Sequence, residues 1–155
     1  MKSKFIFNIS QALVSLFGVG FIRPASATWG SLFAGVLLYI FFPALAIPTK
    51  LFIVLFTFFL GWFATEVVIK KTKKQDPYFV VIDECVGMMI TSIYLTQTWW
   101  HFVVALIFFR IFDIAKFWPA SYFDKKHSSF SVMFDDVLMA IPALIFTELT
   151  IALLL

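Results

Sequence analysis

The stretch Arg110-Ile111-Phe112-Asp113-Ile114-Ala115-Lys116-Phe117-Trp118-Pro119 decides how this chain is interpreted. It closes a strongly apolar run, and within it a basic, an acidic and a second basic residue recur at every third position. A membrane segment holds ionisable side chains only at a cost in free energy, so charges placed there indicate a function. We therefore expect the rest of the chain to bring further polar groups to this stretch.

The composition indicates an integral membrane protein. Of 155 residues, 62% are hydrophobic and only 14% are charged, whereas a soluble domain is about half apolar and a quarter charged. The formal net charge of +3 comes from basic residues in the gaps between apolar runs, which favours membrane topology over nucleic-acid binding. The single Cys85 excludes an internal disulfide and a multi-cysteine metal site. We expect one domain over residues 1–155.

Five apolar runs predict an all-α, polytopic membrane helix bundle. They cover residues 31–47, 51–69, 85–96, 99–109 and 137–155. The third run is short for a span, which needs about 20 residues, so it is either tilted, extended by preceding residues or only partly inserted. The segment 79–82 before it is compatible with a short strand or with the approach to a helix. Pro142 is expected to bend the last helix.

The N-terminal segment imitates a secretory signal, because basic residues and an apolar stretch precede Ala25-Ser26-Ala27. Asn8, Ser10 and Gln11 interrupt that stretch, however. We therefore expect an uncleaved surface helix and loop over residues 1–27, followed by the bundle over residues 28–155. The apolar side of an amphipathic helix would lie on the membrane. It would consist of Phe5, Ile6, Ile9, Leu13, Leu16 and Phe17.

The positions of the basic residues predict the orientation. If the N-terminus is cytoplasmic and all five runs cross, the cytoplasmic segments are 1–30, 70–84 and 110–135, and they contain every Lys and Arg except Lys50. Four polar clusters then reach the same cytoplasmic face of the membrane. They are Thr28 to Ser31, Asp83-Glu84, the stretch 110–119 and Asp135-Asp136.

The converging carboxylates predict a metal site. Acidic groups packed without compensation would repel one another, and a hard divalent cation removes that repulsion. Mg²⁺ takes oxygen ligands and commonly binds through carboxylates together with substrate phosphate. We expect the four residues of the two acidic pairs to hold it, namely Asp83, Glu84, Asp135 and Asp136. Asp113 either joins them, acts as a base toward water or only neutralises its basic neighbours.

The basic residues beside the acids predict a phosphate contact. Arg110 and Lys116 are expected near the face of Asp113 by helical spacing, and such cations suit a phosphate on a lipid headgroup. Thr28 and Ser31, at the start of a helix, would add anion contacts. Less specific interpretations remain: surface ion pairs for the stretch 110–119, helix capping for the acidic pairs and a solvated His127. Glu148 has no predicted role.

At these residues the chain resembles the phosphatidylglycerophosphatase A family. The matching segments are Ala27 to Leu32, Ile82 to Met88, Phe109 to Pro119 and Phe134 to Asp136. The resemblance implies a Mg²⁺-dependent phosphatase that converts phosphatidylglycerophosphate to phosphatidylglycerol in a bacterial inner membrane. The chain departs from the usual family pattern at Ser26-Ala27, where Pro-Gly is usual, at Phe117, where Pro is usual, and after Asp136, where an Ala-Gly pair is usual.

Other functions would need other motifs. Histidine-based membrane phosphatases require a motif histidine, and lipid-alcohol phosphotransferases require an Asp-Gly-x-x-Ala-Arg pattern; the sequence has neither. A phosphatase of another membrane lipid phosphate stays open. A non-enzymatic transporter or assembly protein also stays open, although it would place its polar residues along a path through the membrane.

Overall fold

All regular structure described in this chain is helical. The computed structural model describes residues 2–75, 77–126 and 128–154, and within these ranges there is no β-strand. The all-α prediction is therefore confirmed, and the segment 79–82 leads into a helix. The elements are α1 Lys2–Val14, a 3₁₀ turn Val19–Phe21, α2 Ser26–Phe41, α3 Ile47–Thr72, α4 Ile82–Thr91, α5 Trp99–Ala115, α6 Ala120–Asp124 and α7 Ser129–Leu154.

The helices extend beyond the apolar runs into polar sequence. The clearest case is α7, which begins at Ser129 rather than at residue 137. Its start is capped by Ser128, whose Oγ accepts a hydrogen bond of 3.1 Å from the backbone N–H of Ser131. An apolar run shows which part of a helix lies in apolar surroundings, but the capping residue determines where the helix begins. Asp135 and Asp136 consequently lie inside α7 and not ahead of it.

Helix α5 ends earlier than the spacing of its charges implies. Its last residue is Ala115, and Lys116 follows with φ of 38°, in the left-handed region, while its N–H still donates to the carbonyl of Phe112. This conformation ends the helix. Lys116 therefore lies outside the helix, so helical spacing does not set its position relative to Asp113.

Helix α7 is the centre of the bundle. It packs against α3, α4 and α5, while α2 packs against α4 and α5. Helix α1 packs along α3. The segment before α4 is fastened to α1 by a hydrogen bond of 2.8 Å from the N–H of Val81 to the carbonyl of Val14. These contacts bring the beginnings of α2 and α4, the end of α5 and the first turns of α7 to one end of the bundle.

Two glycines set the close approaches that position α4. A Cβ at Gly20 would lie 2.2 Å from the carbonyl oxygen of Phe79, so only glycine lets the segment before α4 pass the 3₁₀ turn. A Cβ at Gly87 would lie 2.3 Å from a ring carbon of Phe109. The aromatic ring of α5 thus occupies the space that a side chain on α4 would need. Both contacts hold α4 close to its neighbours.

Two described helices, α3 and α7, are long and apolar enough to cross a membrane. Helix α2 is apolar but has only 16 residues, and α4 has 10. Each of the five apolar runs overlaps a helix, but residues 42–46 and 92–96 lie outside the helices, and the structure does not give all five runs the length of a span. Large apolar side chains are exposed along α2, α3, α5 and α7. Apolar surface of this extent is typical of contact with lipid or another protein.

Candidate active site

A cavity of about 340 Å³ lies at the end of the bundle where the polar clusters meet. It is formed by the first turn of α2, the segment before α4, the first turn of α4, the end of α5 and the early turns of α7. All five predicted carboxylates line it, together with one predicted cation. The lining residues are Ser26, Ala27, Tyr78, Val80, Asp83, Glu84, Asp113, Ile114, Lys116, Val132, Asp135 and Asp136.

Asp83 and Glu84 occupy the first turn of α4. The N-terminal end of a helix carries a partial positive charge, which favours carboxylates at this place. Asp83 Oδ1 accepts a hydrogen bond of 3.1 Å from the backbone N–H of Glu84. Both side chains are buried at the cavity and precede the apolar run 85–96. Burial raises the pKa of Glu84 to about 8 and that of Asp83 well above its usual value, the latter with a further contribution from the charge of Glu84.

Asp135 and Asp136 project from α7 into the same cavity, and both are buried. Asp135 Oδ1 accepts a hydrogen bond of 3.1 Å from the backbone N–H of Asp136. The other oxygen of Asp135 accepts one of 2.7 Å from the ammonium of Lys116. The two neighbouring carboxylates thus have different surroundings: Asp135 is paired with a cation, and Asp136 faces the acids of α4.

Three of the four predicted metal ligands form a compact group. One carboxylate oxygen from each of Asp83, Glu84 and Asp136 lies within 4.8 Å of the other two. Glu84 Oε2 and Asp136 Oδ2 are buried and make no hydrogen bond. Buried acceptors without a donor are costly, and a hard cation would satisfy them. The donor set is all oxygen and anionic, so it fits Mg²⁺. Asp135 is not part of this group.

The predicted cations each pair with a different acid. Arg110 Nη1 donates to Asp113 Oδ2 at 2.5 Å, with 17% and 10% of the two side chains exposed. Lys116 pairs with Asp135 across the gap between α5 and α7 because its left-handed backbone turns the chain out of the helix. Lys116 lines the cavity, whereas Arg110 is not among the residues that line it. The cavity is therefore lined by five carboxylates and by one ammonium group, that of Lys116.

The hydroxyls predicted to bind phosphate lie away from the cavity. Thr28 is exposed, and Ser31 is fully buried with its hydroxyl donating to the carbonyl of Ala27 at 2.8 Å. Because α2 begins at Ser26, Ser26 lines the cavity at the start of the helix, where Thr28 was predicted to lie. Its hydroxyl donates to the carbonyl of Tyr78 at 2.6 Å.

Sequence reasoning missed Ser26 and Tyr78. The small residues of the stretch 24–27 were a signal for a close approach, but the beginning of the helix was expected a few residues later. Tyr78 had no signal in its own segment. Tyr78 is recognised only in the structure, where it lines the cavity. The Arg23 guanidinium stacks over its ring in a cation–π contact, with Cζ 3.9 Å from the ring centroid. His127 falls outside the described residues.

The sequence is similar to a known family and to named bacterial proteins. The family model for phosphatidylglycerophosphatase A matches residues 12–151. A phosphatidylglycerophosphatase A of Haemophilus influenzae is 35% identical over 94% of this chain and 90% of its own length. A phosphatidylglycerophosphatase A of Escherichia coli is 30% identical over 81% of this chain and 73% of its own length.

A third relative has a different name. The protein of Bacteroides thetaiotaomicron named "Putative phosphatidylinositol-3-phosphatase" is 34% identical over 83% of this chain and 85% of its own length. No solved structure matches the chain. The family match covers most of the chain, including every residue that lines the cavity. The chain therefore belongs to the phosphatidylglycerophosphatase A family.

Proposed function

We propose that this chain is a Mg²⁺-dependent lipid phosphatase that hydrolyses phosphatidylglycerophosphate to phosphatidylglycerol and phosphate. The observation that carries the proposal is the group formed by Asp83, Glu84 and Asp136, two of whose buried oxygens lack a donor, in a cavity that Lys116 also lines. Membership of the family and the names of two relatives support the substrate.

Asp83, Glu84 and Asp136 would hold the metal. When bound there, Mg²⁺ would polarise the phosphate and activate a water toward it. Lys116 contributes a positive charge beside the non-bridging oxygens of the phosphate, and Asp135 holds that ammonium in place. The burial of the carboxylates limits competing water around the reacting group.

Asp113 is assigned the role of general base. It lies beside Asp136 but outside the compact group of three, and Arg110 fixes its orientation through Oδ2. Asp113 takes a proton from water as the water oxygen bonds to phosphorus. The bond between phosphorus and the glycerol oxygen breaks, and the proton passes from Asp113 to that oxygen. Phosphatidylglycerol and inorganic phosphate leave.

The chain is proposed to act as one domain in a bacterial inner membrane, with five membrane segments and the cavity on the cytoplasmic side. The position of every Lys and Arg except Lys50 supports this orientation, and the exposed apolar side chains of α2, α3, α5 and α7 support insertion. Helix α1 would lie at the membrane with Phe5, Ile6 and Ile9 toward lipid, since all three are exposed.

A second substrate shares the same chemistry. A phosphoinositide with a phosphate monoester at position 3 would use the same metal site, and the name of the Bacteroides relative favours testing it. Both candidates are phosphate monoesters on a lipid headgroup, so they differ only in the polyol that the cavity receives.

Phosphate release by the purified protein separates these candidates. The assay compares phosphatidylglycerophosphate, phosphatidylinositol 3-phosphate and phosphatidic acid in the same detergent, with Mg²⁺ or with a chelator. We expect the highest kcat/KM for phosphatidylglycerophosphate and no release in the chelator. Preference for the inositol lipid would replace the proposed substrate, and inactivity on all three lipids with Mg²⁺ present would refute the enzymatic proposal.

A further inference from the structure

A second, apolar groove runs between α2 and α5, the two helices that also carry part of the cavity. Its volume is about 180 Å³, and its lining is almost entirely apolar. Helix α2 contributes Leu32, Val36 and Tyr39, and α5 contributes Phe102, Val103 and Leu106. No role has been assigned to this groove in the reaction above.

The groove lies beyond the cavity along the same two helices. Ala27 on α2 and Ile114 on α5 line the cavity, whereas the groove begins at Leu32 and Leu106. At a rise of about 1.5 Å per residue, these starting points lie about 8 Å and 12 Å further along their helices. That separation suits the glycerol and phosphodiester part of a phospholipid, which lies between its terminal phosphate and its chains.

The far end of the groove matches the depth of an acyl chain. Tyr39 and Trp99 line it, about 18 Å and 22 Å along the helices from Ala27 and Ile114. The groove therefore covers roughly 10 Å of apolar depth, which is less than the ~15 Å hydrocarbon thickness of one leaflet. Part of an acyl chain fits this length in an extended form.

The floor of the groove is preformed, and its walls are open to lipid. Phe102 is buried, and its ring packs edge to face on Tyr39 with centroids 5.4 Å apart. Val36 and Val103 on the two sides are 52% and 43% exposed. A chain can enter sideways from the membrane without displacing the floor, and a preformed surface reduces the entropy cost of binding.

We propose that this groove binds an acyl chain of the lipid substrate while the phosphate occupies the cavity. The proposal rests on the proposed function for the identity of the headgroup. Binding energy from the chain would position the phosphate at the carboxylates, so the groove would distinguish a membrane lipid from its free, water-soluble headgroup. An ordinary bilayer lipid is the alternative occupant, and the experiment must separate the two.

Groove-filling variants test the proposal by kinetics. Val36→Trp and Val103→Trp fill the groove from its exposed walls, so the buried packing stays intact. Ile145→Trp is the matched control, since Ile145 is 53% exposed on α7, outside the groove. We expect each groove variant to raise KM for the long-chain lipid about tenfold. For the deacylated headgroup, we expect all variants to match the unsubstituted protein. No change with the long-chain lipid, or equal losses on both substrates, would overturn the proposal.

Photo-cross-linking gives a readout that does not need turnover. A phosphatidylglycerophosphate analogue with a diazirine in one chain is compared with phosphatidylcholine carrying the same chain. We expect the analogue to label α2 and α5 preferentially, and Val36→Trp to reduce that labelling. Labelling by the two lipids that spreads equally over α2, α3, α5 and α7 would overturn the proposal. If the protein releases no phosphate from any substrate yet labels α2 and α5 selectively, the proposed function fails and the groove assignment stands.

Discussion

The pair of Arg110 and Asp113 is predicted to act in catalysis as a unit. Three variants test this: Arg110→Gln, Asp113→Asn and the double variant. Each substitution keeps the approximate size of the side chain and removes one charge or both. If the Arg110 guanidinium serves to orient the Asp113 carboxylate, either substitution alone removes the catalytic contribution of the pair. The second substitution should then cause little further loss of kcat/KM.

The geometry gives the size of the effect. The guanidinium and carboxylate are 2.5 Å apart, and both side chains are mostly buried. Loss of a positioned general base lowers the rate by about 10²–10⁴-fold, and we expect the lower end here because each substitution keeps the shape of the side chain. Either single variant should therefore lower kcat/KM about 100-fold, which corresponds to about 2.7 kcal/mol of transition-state stabilisation. The double variant is expected to lose about the same factor and not its square.

The assay is phosphate release at saturating Mg²⁺, with the unfolding temperature of each variant measured in the same detergent. Equal elution on size exclusion and unfolding temperatures within a few degrees would exclude general misfolding as the cause. A double variant that loses about 10⁴-fold would show that the two residues act independently. Full activity in Arg110→Gln would show that the pair is only a structural contact and would contradict the proposal that Arg110 orients Asp113 as the general base.

Three further predictions concern stability and binding. Gly87→Ala forces a Cβ against the ring of Phe109 and should lower the free energy of unfolding by about 1–3 kcal/mol, measured by thermal or denaturant unfolding; an unchanged value would contradict the packing. Lys50→Met removes the buried ammonium that donates to the carbonyl of Ile93 at 2.9 Å, and should cost about 1–3 kcal/mol of stability while kcat/KM at low temperature is kept. Ser31→Ala should change KM by less than about twofold, since only a hydrogen bond within α2 is lost; a tenfold rise in KM would restore Ser31 as a phosphate contact.

The sequence was sufficient to predict that the two acidic pairs meet. Asp83-Glu84 and Asp135-Asp136 stand beside apolar runs, and a membrane allows such charges only at the ends of segments or in a protein interior, so few arrangements remain. The all-α class was predictable for a related reason. In lipid, the backbone N–H and C=O groups of such an apolar chain must form hydrogen bonds within the protein, and helices provide them.

The finer geometry depends on local backbone features that hydropathy does not report. The end of α5 at Ala115 and the left-handed Lys116 decide that this lysine pairs with Asp135, and no periodicity contains that information. The start of α2 at Ser26 moves Thr28 out of the cavity in the same way. The separation of Asp135 from the compact group of three acids also arises from tertiary contacts, because the sequence presents Asp135 and Asp136 as equivalent.

The Mg²⁺ dependence of phosphate release in Asp136→Asn tests the metal site most directly. The matched control is Glu148→Gln, which neutralises another acid of the same helix that does not line the cavity. We predict that the unsubstituted protein and Glu148→Gln respond to Mg²⁺ along the same titration curve. We predict that Asp136→Asn, folded to the same unfolding temperature within a few degrees, stays at background at every Mg²⁺ concentration. A normal Mg²⁺ response in Asp136→Asn, or full activity of the unsubstituted protein in a chelator, would contradict the account.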